Sequence, residues 1–122
     1  MKTMTLRNWF AIIVALLCST SALAYDFEVD GIYYNITNHT EKTVAVTKGK
    51  YSKYSGHVII PDSVTHKEAT YHVTDIESRA FEFSNQMTSI DIPNSVVYIG
   101  DNAFSSCEQL TGITIPNGVK QI

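Results

Sequence analysis

The chain carries four histidines, two cysteines and twelve carboxylates, and their spacing decides what chemistry they can do. Asp26-x-Glu28-x-Asp30-Gly31 has the look of the opening of a calcium loop, where alternate acidic oxygens ligate and a glycine makes the sharp bend. The twelfth position of such a loop needs a bidentate glutamate and is Thr37 here, while the third is Glu28 where Asp or Asn belongs. A hairpin with alternating polar residues accounts for the same stretch, so we expect no metal site there. His39, His57, His66 and His72 show no zinc spacing; His66 and His72 lie six apart with no cysteine nearby and read as solvated loop residues. All four histidines precede Cys107, and nothing around that cysteine supplies the electropositive setting a reactive thiolate needs, so Cys107 reads as a structural thiol. Gly-x-Ser-x-Gly, phosphate-loop and dinucleotide patterns do not occur, and the acidic residues are too scattered to nominate a glycosidase pair. The expectation is no catalytic residue, no cofactor and no metal.

Composition sets the frame for everything else. In 122 residues, 44% are hydrophobic, 11% aromatic and 17% charged, enough apolar side chain for one folded domain and too much for a disordered chain. Nine basic residues face twelve acidic ones with no basic cluster fit for a nucleic acid. Met1 to Ala24 reads as a secretory signal: Lys2 and Arg7 start it, Trp9 to Cys18 is an unbroken apolar run, and Ala22-Leu23-Ala24 fits the cleavage rule. The run is about half of the roughly 20 residues a membrane helix needs, so no retained span is expected. Leu17 before Cys18 argues against lipid attachment, and cleavage is expected before Tyr25. The remaining 98 residues carry 7 basic and 12 acidic groups, and Cys107 is their only cysteine, which excludes a disulfide scaffold.

A 23-residue period organises the second half. Ile76, Ala80-Phe81, Met87, Ile90, Ile92-Pro93-Asn94 and Val96 recur as Ile99, Ala103-Phe104, Leu110, Ile113, Ile115-Pro116-Asn117 and Val119, and Ile99 recurs as Ile122. In each unit the apolar-x-apolar stretch is a strand, with Ile90 and Ile92 inward and Ser89 and Asp91 outward. Pro93 and Pro116 end the strands, and Asn-Ser or Asn-Gly turns the chain. Ala80-Phe81 and Ala103-Phe104 are placed in short turns of α or 3₁₀ helix, with Asp101 capping the second and the two rings stacked. Val58-Ile59-Ile60-Pro61-Asp62-Ser63-Val64 is a degenerate earlier copy at an offset of 32; the extra nine form an inserted loop with a strand from Thr70 to Thr74.

The fold class that follows is mainly β with short helical or 3₁₀ turns: a solenoid over 57–122, preceded by an antiparallel β cap over 25–56. The solenoid divides into a degenerate coil with its insert at 57–75, a repeat at 76–98 and a last repeat at 99–122, which breaks off in mid-pattern without a cap. In the cap, Phe27, Val29, Ile32, Tyr34 and Ile36 share one face of a hairpin turning at Asp30-Gly31, Glu28, Tyr33 and Asn35 take the other, and Thr43 to Thr47 adds a third strand.

Ile-x-x-x-Ala-Phe, Leu-Thr-x-Ile-x-Ile-Pro-Asn and Val-x-x-Ile resemble the BspA-like leucine-rich repeats of secreted and surface proteins from Bacteroides-type bacteria. The resemblance covers Val58 to Ile122, and Tyr25 to Gly56 looks like the β-rich lead-in found in that family; Cys107 sits where the family often has cysteine, and Ser84 replaces it one repeat earlier. It implies non-enzymatic recognition of a protein or surface polymer, a host matrix protein among them. The contact candidates are the outward rows Ser89 and Asp91, then Gly112 and Thr114, extended by His57 and Ile59; Tyr51, Tyr54 and Tyr71 are anchors, or else pack on the cap. Asn35-Ile36-Thr37 and Asn38-His39-Thr40 match N-glycan acceptors, idle in a bacterial source, and Asp62-Ser63-Val64 resembles a Bacteroides-type O-glycan acceptor. The expected function is an exported binding or adhesion module, secreted or held at the cell surface, self-associating through its uncovered last coil. The rival readings are the cap fragment of a longer array with a structural role, and a secreted enzyme with an unrecognised site.

Overall fold

The computed structural model of the chain describes residues 25–51 and 53–120; the expected signal segment with Cys18, and Ile122, lie outside them. Strands β1 (Phe27–Val29) and β2 (Ile32–Asn38) form the expected hairpin, with Phe27 opposite Tyr34 and Val29 opposite Ile32. Its two turn residues both take left-handed backbone, Asp30 at φ 51° and Gly31 at φ 84°, the geometry that matches the twist of paired strands and that Asp-Gly tolerates. Glu28 secures the turn by accepting the Gly31 N–H through Oε2 at 2.6 Å. Strand β3 (Thr43–Thr47) continues the sheet antiparallel to β2.

Strand β3 is buried along Val44, Ala45, Val46 and Thr47, so it needs a partner on its second edge as well. The nine residues that interrupt the repeat period supply one. They belong to a second hairpin, β5 (Ser63–His66) and β6 (Ala69–Ile76), turned at Lys67 and Glu68 with φ of 51° and 67°. The expected strand from Thr70 to Thr74 lies within β6, and β5 is an addition to it. Strand β6 runs parallel to β3, while its other edge is shared by β5 and by β8 (Tyr98–Ile99). The lead-in sheet is therefore not closed over 25–56: it runs through the insert into the repeats, in the order β1-β2-β3-β6-β5 with β8 also on β6.

A second sheet is all parallel, β4 (Ser55–Ile59), β7 (Gln86–Asp91) and β9 (Gly112–Thr114). Its register is the sequence period made physical: Val58 pairs with Ile90 and Ile90 with Ile113, offsets of 32 and 23. The nine inserted residues account for the larger offset, and a bulge between Gly56 and His57, where Gly56 takes a positive φ of 67°, brings it from 31 to 32. Val97, Thr111 and Lys120 donate backbone N–H groups to Thr74, Thr88 and Val97, each one repeat period back.

The short helical turns expected at Ala80-Phe81 and Ala103-Phe104 are not present, and no helix occurs among the described residues. Ala80, Glu82 and Ser84 bond three residues back, to Glu77, Arg79 and Phe81, as a 3₁₀ turn requires. The intervening Arg79, Phe81 and Phe83 instead donate to Asp101, Ala103 and Ser105 of the next turn. Every second N–H thus ties neighbouring turns together, and left-handed residues at 79 and 83, repeated at 102 and 106, make the alternation. Asp101 enters through its carbonyl. The rings stack as expected, Phe81 on Phe104 with centroids 5.3 Å apart and planes at 4°. One core unites both sheets, from Phe27, Tyr34 and Val46 through Ile76 and Phe81 to Ile90 and Ile99.

Candidate functional site

Parallel pairing lines up the side chains of each outward row. One row runs from His57 through Ser89 to Gly112, and the next from Ile59 through Asp91 to Thr114. Asp91, Gly112, Thr114, His57 and Ile59 are exposed and Ser89 is half-buried, so the rows expected from the sequence come together on one face. A diagonal contact links them, His57 Nε2 to Asp91 Oδ2 at 3.1 Å, with both side chains more than half exposed. A pair so well solvated contributes little to stability.

Ile59 is 63% exposed, an isoleucine left outside on the strand at the sheet edge. It forms the ridge between two clefts of about 280 and 360 Å³. The Asp30 turn of the first hairpin borders both; Lys53 and His57 line the smaller, Pro61, Ser63 and Tyr34 the larger. The face therefore presents an apolar ridge flanked by carboxylates at Asp30 and Asp91 and by the cations or donors of Lys53 and His57. That arrangement suits non-covalent contact.

The tyrosines divide. Tyr51 is 83% exposed, whereas Tyr54 and Tyr71 are buried, packing inward as the alternative had it. Tyr54 donates its hydroxyl to the Thr47 carbonyl at 2.6 Å and accepts the Tyr33 N–H at 3.0 Å. Burial pushes its phenol well above the ordinary value, with the Tyr33 contact pulling the other way. Tyr71 packs near Phe27 with Lys42 above its ring.

Asp26, Glu28, His66 and Cys107, among the groups singled out for metal or covalent chemistry, are engaged elsewhere. Asp26 accepts the Ile36 N–H at 2.8 Å, and Glu28 holds its turn. His66 is in β5 and His72 in β6, not in a solvated loop; the His66 ring lies flat on Phe27, centroids 4.0 Å apart. The nine extra residues pair into strands, which fixes both histidines. No group of three metal-ligating side chains occurs among the described residues. Cys107 Sγ donates to the Phe81 carbonyl at 3.0 Å, and burial raises its pKa against a lowering contact from the Ser84 backbone. A thiol held in that state is a poor nucleophile.

Sequence reasoning passed over two residues. Glu77 accepts from Thr47 Oγ1 at 2.8 Å and from Asn35 Nδ2 at 3.0 Å, tying the first repeat to the lead-in sheet. Phe83 is 53% exposed at φ 63°; its mismatch with Ser106 one repeat later was the available signal.

The family described as BspA type leucine rich repeat region (6 copies) matches residues 57–122. Among solved structures, the chain is similar to a leucine-rich repeat protein from Bacteroides ovatus ATCC 8483, with 40% identity and a TM-score of 0.72 over 79% of this chain and 25% of that one. A leucine rich cell surface protein from Faecalibacterium prausnitzii A2-165 shares 30% identity at a TM-score of 0.61, over 75% of this chain and 24% of its own. A leucine-rich repeat protein from Bacteroides capillosus ATCC 29799 shares 31% at 0.60, over 75% of this chain and 63% of that one. The chain thus spans about a quarter of the length of the first two. No curated protein matches it.

Proposed function

The chain belongs to the BspA-type leucine-rich-repeat family, and from that membership we propose that it is an exported, non-enzymatic module that binds a protein or surface polymer through the outer face of β4, β7 and β9. In this reading the two sheets are walls of a short solenoid over 57–122, and the strands of 25–56 cap its first coil. Met1 to Ala24 directs export. The observation that carries the reading is Ile59, an exposed apolar ridge beside Asp91 and between two clefts, because contact energy concentrates where an apolar side chain has polar groups around it. Ser89, Gly112 and Thr114 extend the face, and Gly112 leaves room for a partner's backbone. The engagement of Cys107 with Phe81 supports a non-enzymatic role.

The test is direct binding of the exported protein to purified matrix proteins and cell-surface polysaccharides, fixed to a biosensor. We expect a ligand whose affinity falls about tenfold with Ile59→Ser, the worth of a modest hot spot, and falls again with Asp91→Asn, at unchanged melting temperature. Wild-type affinity in both variants would overturn the assignment of this face.

A further inference from the structure

Phe83 is the residue least explained by its surroundings. Its backbone is left-handed, φ 63°, a conformation that disfavours a bulky side chain. The repeat imposes that geometry, since Ser106 has φ 58° one repeat on, but the repeat does not call for an aromatic ring. The ring is 53% exposed and takes no part in the core. Strain in an exposed apolar residue, unrelieved by packing, points to something outside the chain.

The surroundings of Phe83 are basic and aromatic. Lys48, Lys50 and Lys53 are three of the seven basic residues beyond residue 24, in a stretch that is otherwise acidic. Lys53 reaches across to the Phe83 turn: its Nζ lies 5.8 Å from the Phe83 ring centre and donates to the Glu82 carbonyl at 3.5 Å. The Glu82 carboxylate faces Arg79 at 3.9 Å, so it is not spent on the lysine. Tyr51, 83% exposed, has Lys50 Nζ 4.9 Å from its ring centre, and its Cα is within about 7 Å of that of Lys53 by chain length alone. Two protruding rings, each with an ammonium beside it, therefore stand on adjoining loops.

We propose that Tyr51, Phe83 and the lysines at 48, 50 and 53 form a docking surface for an anionic phospholipid membrane. Aromatic side chains and lysines combine at the water–lipid boundary because the rings insert while the ammonium groups stay with the phosphates. A folded protein partner fits less well. Its anchors would fill pockets, whereas neither ring lines the clefts beside Ile59, and a protruding ring needs a surface that deforms around it. Lys53 also lines the smaller cleft beside Ile59, but Tyr51, Phe83, Lys48 and Lys50 lie on different loops from the sheet face, and the surface they make is tested apart from it.

The experiment is flotation of the exported protein with two kinds of vesicle, at low and at high salt. One kind is phosphatidylcholine alone, and the other carries about 30% phosphatidylglycerol, enough anionic lipid to set up a negative surface potential. Binding is expected only to the anionic vesicles and should be lost in about 0.5 M NaCl, where surface charges are screened within a few ångströms. Each Lys→Ser change at 50 or 53 should weaken it about fivefold. Phe83→Asn should weaken it several-fold while the melting temperature holds or rises, because asparagine accepts the left-handed backbone. Equal binding to both vesicles, no binding to either, or wild-type binding by Phe83→Asn overturns the proposal. So does dextran sulfate binding as tightly as the vesicles with no dependence on Phe83, which would make the surface a polyanion site. Sheet-face variants Ile59→Ser and Asp91→Asn should leave flotation unchanged, so that failure here and failure of the sheet-face reading are distinguishable.

Discussion

Two buried tyrosines offer a paired test of how this core is held, because the same substitution should act on them in opposite directions. The Tyr54 hydroxyl bridges a buried carbonyl at Thr47 and a backbone N–H at Tyr33, whereas the Tyr34 hydroxyl is buried without a hydrogen-bond partner among the described residues. Tyr54→Phe keeps the ring against Phe81, 4.6 Å away, but strips two backbone groups of this partner where water does not replace it. Toward the lower end of about 1–3 kcal/mol for each group left unsatisfied, because Tyr33 is only half-buried, the loss from the two groups should be about 2–4 kcal/mol. Tyr34→Phe removes a hydroxyl that was desolvated without return, so the variant should be unchanged or up to about 2 kcal/mol more stable. The contrast, about 3 kcal/mol, should separate the urea midpoints by about 2 M at the slopes usual for a domain of this size. Circular dichroism during urea unfolding at pH 7 reads it, provided the slope is common to both variants. A loss above about 1 kcal/mol in Tyr34→Phe would show that its hydroxyl is bonded, and a loss below about 0.5 kcal/mol in Tyr54→Phe would show that the bridge is not sealed from water; either refutes the reasoning.

Three further outcomes follow from the same geometry. Gly100→Ala should destabilise by about 1–3 kcal/mol in urea unfolding, because a Cβ there would meet the Ser78 backbone of the preceding turn, while Gly118→Ala, with only ordinary contact at 3.6 Å from the Asn94 carbonyl, should be neutral. Glu77→Ala should lose about 1–3 kcal/mol by leaving the buried Thr47 hydroxyl short of its acceptor, with Glu77→Gln recovering part of it. Burial raises the phenol pKa values of Tyr34 and Tyr54 in the folded state, so the unfolded chain releases these protons first. Stability should hold below about pH 10 and then fall with rising pH by about 1.4 kcal/mol per unit for each tyrosine; thermal melts from pH 8 to 11 check the sign, and Tyr34→Phe should reduce the slope.

What the sequence disclosed follows the reach of its signals. The 23-residue period states which residues share a phase, and parallel strands stacked in phase pair at that offset, so Ile90 opposite Ile113 and Phe81 on Phe104 were legible. Asp30-Gly31 was legible because its turn depends on two adjacent residues. The pairing of β3 with β6 was not, since nothing local in Thr43 to Thr47 names a partner as far along the chain as His72 to Ile76. The absent helical turns have the same origin. Ala80-Phe81 has the local bonding of a 3₁₀ turn on alternate residues only, and the donors that would complete it are drawn off by the next repeat. Tyr54 and Tyr71 show the limit for the candidate site: a tyrosine in a polar loop has a ring to bury and a hydroxyl to satisfy, and only the fold shows that Thr47 and Tyr33 stand ready for it.

The arrangement of the core bears on how the outer face can bind. Tyr25, Tyr33, Tyr54, Phe81 and Phe104 touch in series, centroids 4.7, 5.8, 4.6 and 5.3 Å apart, from the first hairpin to the last described repeat. The series crosses the junction where β4 begins, so the strand that carries His57 and Ile59 is anchored at Tyr54 just before it starts. Glu77 ties the first repeat to the lead-in sheet through Asn35 and through Thr47, the residue whose carbonyl takes the Tyr54 hydroxyl. If this face binds as proposed, a face supported in this way should change little on binding, and its affinity should rest on the side chains it presents rather than on rearrangement. Substitutions at Ile59 and Asp91 should therefore alter affinity without altering stability. Substitutions at Tyr54 or Glu77, which touch the face only through its support, should alter both together.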